Sequence, residues 1–189
     1  MNSFDKERLI TKEELIQLGL QYLQGVGISY ICNVCISNGG SCCMHCSDLE
    51  DGKGCQQRNT SCTAWLCGFL KFIFYEAGLL EEWEQFWEQV PGRAFRTDYT
   101  PSVVPIQKGI QIPNIQFLGR AFAKDLACLT KKHNNWDYII TLNNELDRYV
   151  TRLSIYNDFE TLEEAKTELE KLTWGFYSFR LALQDYRSR

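Results

Sequence analysis

Histidine, methionine and proline are all scarce in this chain, with two, two and four copies in 189 residues. The histidine shortage restricts function most. With so few imidazoles, proton transfer near neutral pH would fall to carboxylates and tyrosines. No H-E-x-x-H helix is present to build a zinc protease, and neither a glycine-rich phosphate loop nor a convincing Ser–His–Asp order occurs. Positive charge is not in excess either. A net charge of -4 and a pI near 5.3 remove the global field that drives binding to phosphate backbones, so nothing supports a nucleic-acid partner. The longest apolar stretch, LCGFLKFIFYEAGLL, is interrupted by Lys71 and Glu76 and falls short of a membrane span. The opening residues MNSFDKERLITKEELIQL are charged throughout and never build the apolar core of a secretory signal, which predicts a cytoplasmic protein.

What is present is the composition of a folded protein, 44% hydrophobic and 23% charged. The expected architecture is mainly α, in a single domain over residues 1–189. An N-terminal helix and lead-in cover 1–31, a cysteine-rich segment 32–67 and a helical body 68–189, with a C-terminal antiparallel helical hairpin and one short β-hairpin. Thr11 and Glu14 form a capping-box pair ahead of Leu15, Leu18, Leu20, Tyr22 and Leu23. That helix is expected to end near Gly25 and Gly27, and the β-branched run Ile28 to Ile31 to lead into the cysteines as a short extended segment.

Eight of the nine cysteines lie between Cys32 and Cys67. In an oxidising compartment such density would read as a disulfide framework, but in the cytosol clustered thiols hold metal. The odd count would leave one thiol over from a closed disulfide set, and a chain of this length can bury a core without staples. Eight small buried hydrophobes in one loop-rich stretch is the weakest reading. Cys32 and Cys35 form a C-x-x-C pair, as do Cys43 and Cys46, the spacing at which one tight turn brings two sulfurs to an ion. Gly39, Gly40, Gly52 and Gly54 suit a backbone wrapped closely around such a site. Cys55, Cys62 and Cys67 would close it from a returning loop and from the start of the next helix. Cys42 adjoins Cys43, and because neighbours project differently, one binds while the other serves a second metal or stays a reactive thiol. His45 is read either as a ligand replacing a sulfur or as a loop histidine.

Zinc fits four thiolates and would add on the order of 10 kcal/mol of folding free energy. Iron–sulfur clusters also take four cysteines each, and the irregular spacing and thiol excess lean slightly that way. The expected cofactor is therefore zinc or an iron–sulfur cluster.

The order Cys32, Cys35, Gly40, Cys42, Cys43, Cys46, Leu49, Gly54, Cys55, Arg58, Cys62, Trp65, Leu66, Cys67 resembles the YkgJ-type family of zinc- or iron-chelating bacterial domains. The likeness covers about a fifth of the chain. This sequence carries an inserted ISNG before the glycine of the doublet, and Arg58-Asn59 where the family has Arg-Pro. The resemblance implies chelation of zinc or iron by a bacterial protein. A similar cysteine block occurs in flagellin lysine methylases, which raises an iron–sulfur-dependent redox or protein-modifying enzyme as the alternative. A zinc-shaped protein-interaction module is a third reading.

Beyond Cys67 the pattern is helical. Leu79, Leu80, Trp83, Phe86, Trp87 and Val90 recur on one face, with Glu81, Glu82, Glu84 and Glu88 opposite, up to a stop at Pro91-Gly92. Those glutamates read as a solvated face, with an acidic docking strip as the sharper option. Lys108-Gly109, between short β-branched runs, suggests the turn of a hairpin or an ordered lid. Arg93, Arg96, Asp98 and Tyr99 are the polar candidates outside the cysteines, with ordinary loop chemistry the favoured reading. Cys128 is expected to be a buried core thiol, and His133 a loop residue. Two heptad seams, Ile139 to Tyr156 and Leu162 to Tyr186, predict the C-terminal hairpin, with a capping box at Thr161 and Glu164. The aromatic residues Phe176, Phe179 and Tyr186 leave open a protein partner or homo-oligomer through these helices.

Overall fold

The computed structural model describes residues 8–40, 58–94, 97–133 and 137–189, together with the backbone of 49–50 and 54–55. In chain order the elements are β1 (Arg8–Thr11), α1 (Lys12–Val26), α2 (Ile28–Ser37), β2 (Leu49–Glu50), β3 (Gly54–Cys55), α3 (Thr60–Ala64), α4 (Gly68–Glu76) and α5 (Leu80–Glu88). They continue with β4 (Arg93–Ala94), β5 (Thr97–Asp98), β6 (Val103–Ile106), α6 (Gln116–His133), α7 (Tyr138–Ile155), α8 (Phe159–Thr173) and α9 (Tyr177–Arg187). The fold is mainly α. Among the described residues, no helix is long and apolar enough to cross a membrane.

The chain divides into two compact units. The first comprises residues 1–23, 43–65 and 80–113. Its entry is the capping box read in the sequence: the Glu14 amide donates to Thr11 Oγ1 at 3.2 Å while the Thr11 amide donates to Glu14 Oε2 at 2.9 Å. The α1 face that follows is buried against α5. Leu15 and Tyr22 are fully covered, the Tyr22 ring lies 5.2 Å from Trp83, and the Tyr22 hydroxyl donates to Glu82 Oε2 at 2.9 Å. Between them Gly19 has no room for a side chain, because a Cβ would meet Thr63 Cγ2 and the Trp87 ring. The Trp83 indole donates to the Ala64 carbonyl at 2.9 Å, which ties α5 to α3.

Val103-Val104-Pro105-Ile106 forms a strand, but its partner is remote rather than across Lys108-Gly109. The strand β6 pairs antiparallel with β1, in the register Arg8↔Ile106 to Thr11↔Val103. The short hairpin expected in this region falls earlier, where β4 pairs with β5. Pro105 sits on a two-stranded edge, where its missing N–H disturbs no ladder.

The second unit comprises residues 24–42, 66–79 and 114–189. The expected helical hairpin is present, as α7 packs along α8. Its cap differs from the expected Thr161–Glu164 box: helix α8 starts at Phe159, and Asp158 Oδ1 accepts the Thr161 amide at 2.9 Å. The second seam does not run on to Tyr186 as one helix. It breaks at Trp174-Gly175-Phe176, where Leu129 of α6 lies against Gly175 and leaves no space for a Cβ. Helix α9 then packs on α6, and the buried Asp125 carboxylate accepts the Phe179 amide at 2.8 Å, capping α9 from a neighbouring helix. Phe122 is the centre of this core. Its ring stacks on Phe176 at 4.5 Å and meets Phe179 edge-on at 5.5 Å. Of the aromatics expected to be left over from the hairpin, Phe176 and Phe179 are buried inside the unit, while Tyr186 is half-buried.

Candidate metal centre

The first C-x-x-C pair lies on a helix, not on a loop. Ile28 and Ile31 were expected to be extended, yet both are buried on one face of α2, and this packing against α6 overrides their β-propensity. Gly27, at φ +89°, turns the chain from α1 into α2, a conformation suited to glycine. Cys32 and Cys35 then stand three residues apart on α2, both half-buried. Helical residues at that spacing share a face, with Cβ atoms about 5–6 Å apart.

The end of α2 is shaped by the ISNG insertion. The Gly39 amide donates to the Ile36 carbonyl at 3.1 Å and the Gly40 amide to the Cys35 carbonyl at 2.9 Å, with Gly39 at φ +83°. These two bonds define a Schellman cap. Asn38 reinforces it, its Nδ2 donating to the Val34 carbonyl at 2.8 Å. The cap folds the chain back so that Gly40 lies directly on Cys35 Sγ; a Cβ at Gly40 would collide with that sulfur and crowd Ile139. Glycine permits this close approach of backbone to the sulfur. The described part of the predicted donor set at this point is thus two thiols on one helical face, one of them against glycine.

Cys67 belongs to the same unit and is the N-cap residue of α4, buried, with extended backbone at φ −71° and ψ 165°. The expected position at the start of the following helix is where it stands. Helix α4 is anchored there: the Phe69 amide donates to Asn143 Oδ1 at 3.3 Å, and Lys71 pairs with Asp147.

Cys62 is half-buried in α3, in the first unit. Five residues cannot sustain a helix unaided, and α3 is held from outside. Asn59 Oδ1 accepts the Cys62 amide at 2.8 Å, and Asp98 Oδ2 accepts the Thr60 amide at 3.0 Å. Asp98 Oδ1 takes the Thr100 amide at 2.9 Å, and Lys12 Nζ lies 3.0 Å from Oδ2. Burial alone would raise the Asp98 pKa, but the Thr60 and Thr100 amides and Lys12 override it and hold the carboxyl well below the usual range.

The remaining predicted ligands are less fully seen. Cys55 is described through its backbone, in β3 opposite Leu49. Cys42, Cys43, Cys46 and His45 lie outside the described residues, as does Arg96. Among the described residues, no group of three or more His, Cys, Asp and Glu side chains is placed to hold a metal ion.

Among the described residues, the polar candidates of the 93–99 stretch take separate roles. Arg93 donates to the Val90 carbonyl at 3.1 Å and lies 6.0 Å over the Trp87 ring, where burial lowers its pKa despite Glu88. Tyr99 is exposed. Asp98 is the structural tie just described, and neither its role nor that of Asn59 was singled out from sequence. The signal for Asn59 was present, since an asparagine three residues before Cys62 is a standard cap.

Cys128 is exposed, which corrects the expectation of a core thiol. It follows Leu126 by two residues, about 200° around the helix, so the face that buries Leu126 turns Cys128 outward. His133 ends α6 rather than lying in a loop, and its ring stacks on Tyr138 at 4.2 Å. Comparison with family models, curated proteins and solved structures finds no match to the chain.

Proposed function

We propose that this chain is a metal-binding protein of the YkgJ type, in which the clustered cysteines hold zinc or an iron–sulfur cluster in a bacterial cytoplasm. The donor set is drawn from Cys32, Cys35, Cys42, Cys43, Cys46, Cys55, Cys62 and Cys67. The observation that carries this reading is the clustering of eight cysteines between Cys32 and Cys67, the first two of them on one face of α2, whose Schellman cap turns the chain back just before the Cys42-Cys43 doublet. The cap brings Gly40 against Cys35 as it brings C″ against C3 in helices generally, and so turns the chain from the first cysteine pair toward the doublet. When bound, zinc would supply folding free energy, and an iron–sulfur cluster would add electron transfer. The chain's own residues set the positions of the thiols: α2 fixes Cys32 and Cys35 on one face, the α4 N-terminus fixes Cys67, and Asn59 fixes Cys62.

Metal analysis and absorption spectra of anaerobically purified protein test the reading. At least one equivalent of zinc or of cluster iron is expected, lost when Cys32 and Cys35 are both replaced by alanine. A folded wild-type protein with reduced thiols and neither metal would refute it.

A further inference from the structure

We infer that Asp98 is the positioning residue for the Cys62 thiol. The inference rests on the reading of Cys62 as a metal ligand. The five-residue α3 has no length with which to define its own geometry. Each residue flanking Cys62 on its N-terminal side is instead bonded to the 91–100 stretch or to the cap. Thr60 gives its amide to Asp98 Oδ2, and its hydroxyl lies 2.7 Å from that of Thr100. Thr100 is itself fixed through its hydroxyl to the Pro91 carbonyl at 3.0 Å and through its amide to Asp98 Oδ1. Ser61 donates to the Thr97 carbonyl at 2.6 Å and accepts the Ala94 amide at 3.2 Å.

Asp98 makes three of the contacts in this lattice. One carboxylate bridges the α3 N-terminus, the loop at Thr100 and Lys12 at the start of α1. Its side chain is 6% exposed, so water cannot replace those contacts when it is removed. Thr60 and Thr100 are also buried, so their hydroxyl pair is closed to solvent. Loss of Asp98 therefore loosens the α3 N-terminus at Thr60 and, with it, the backbone that fixes where Cys62 stands.

The test is iodoacetamide labelling of reduced, metal-free protein with each cysteine followed by mass spectrometry, paired with metal content after zinc or cluster loading. In Asp98→Ala the labelling rate of Cys62 should rise roughly tenfold relative to that of Cys32 and Cys128, and loaded metal should fall. Asp98→Asn, which keeps the size and one acceptor, should give an intermediate rate. Equal acceleration of every cysteine would mean a merely global loss of stability and would overturn the inference, as would a Cys62 rate unchanged in a folded variant. If Asp98→Ala does not fold, the comparison is made on Asp98→Asn alone. A wild-type protein that takes up no metal refutes the metal reading, whereas the labelling ratio decides the positioning role by itself.

Discussion

Gly40 lies on the sulfur of Cys35, with no space between them for a methyl group. The contact is made by the chain reversal at Gly39, and its other side is closed by Ile139. Gly40→Ala must therefore push the Cys35 side chain or the α2 terminus aside, at a cost of about 1–3 kcal/mol for overpacking. Bound metal should fall in the same variant. Thermal denaturation and metal analysis of Gly40→Ala against wild type check both, and an alanine variant with full metal and unchanged melting would show that the contact is slack.

Asp98 predicts an acid limb of stability with a definite sign. Its folded pKa lies below the ordinary 3.8, the amides of Thr60 and Thr100 and Lys12 outweighing the opposing effect of burial. A depressed carboxylate contributes fully above its unfolded pKa and loses that contribution as pH falls toward the folded one. At pH 7, Asp98→Asn should cost about 3 kcal/mol, the usual range for breaking a buried charged contact. The gap between variant and wild type should close progressively below about pH 4. Denaturant titrations at pH 7 and pH 3 measure it, and a gap that does not narrow would assign the cost to packing instead of charge.

Local signals in the sequence placed several elements, though not the cap of α8, which is Asp158 instead of the Thr161–Glu164 box. The Thr11–Glu14 box and the α5 stripe with its Pro91-Gly92 stop stand where their residues place them, because capping bonds and helical period are short-range. Ile28 and Ile31 were misread because tertiary packing on α6 decided their conformation against local preference. The break at Gly175 left no trace in the periodicity, since the apolar residues on either side keep their spacing while Leu129 sets the turn from another helix. Strand β1 gave no signal of its partner nearly a hundred residues on. In the cysteine segment, C-x-x-C spacing alone does not distinguish a loop from one face of a helix, which is where the structure places Cys32 and Cys35.

Cys128 supplies an internal control for the thiol chemistry. It is the ninth cysteine, outside the cluster, exposed on α6. Cys128→Ser should leave metal content unchanged and alter stability by less than about 0.5 kcal/mol, as is usual for exposed positions. In wild type it should be the first thiol labelled by a small alkylating reagent, with no loss of bound metal. Peptide mapping over a labelling time course checks the order, and metal release on labelling of Cys128 alone would tie this residue to the centre.

Phe122 carries more of the second unit's core than any other aromatic contact suggests by itself. Fully buried on α6, it touches Phe69 and Phe72 of α4 at 5.9 and 6.0 Å between ring centroids, besides Phe176 and Phe179. It thus links three separate helical segments through one side chain. Phe122→Ala should cost about 3–5 kcal/mol, because the rigid rings around it cannot collapse into the space. Against a typical total of about 5–15 kcal/mol, that is enough to leave the unit marginal. Phe122→Leu, which keeps much of the volume, should cost clearly less. Urea denaturation of the two variants measures the difference, and equal losses would place the contribution of Phe122 in ring stacking instead of filled volume.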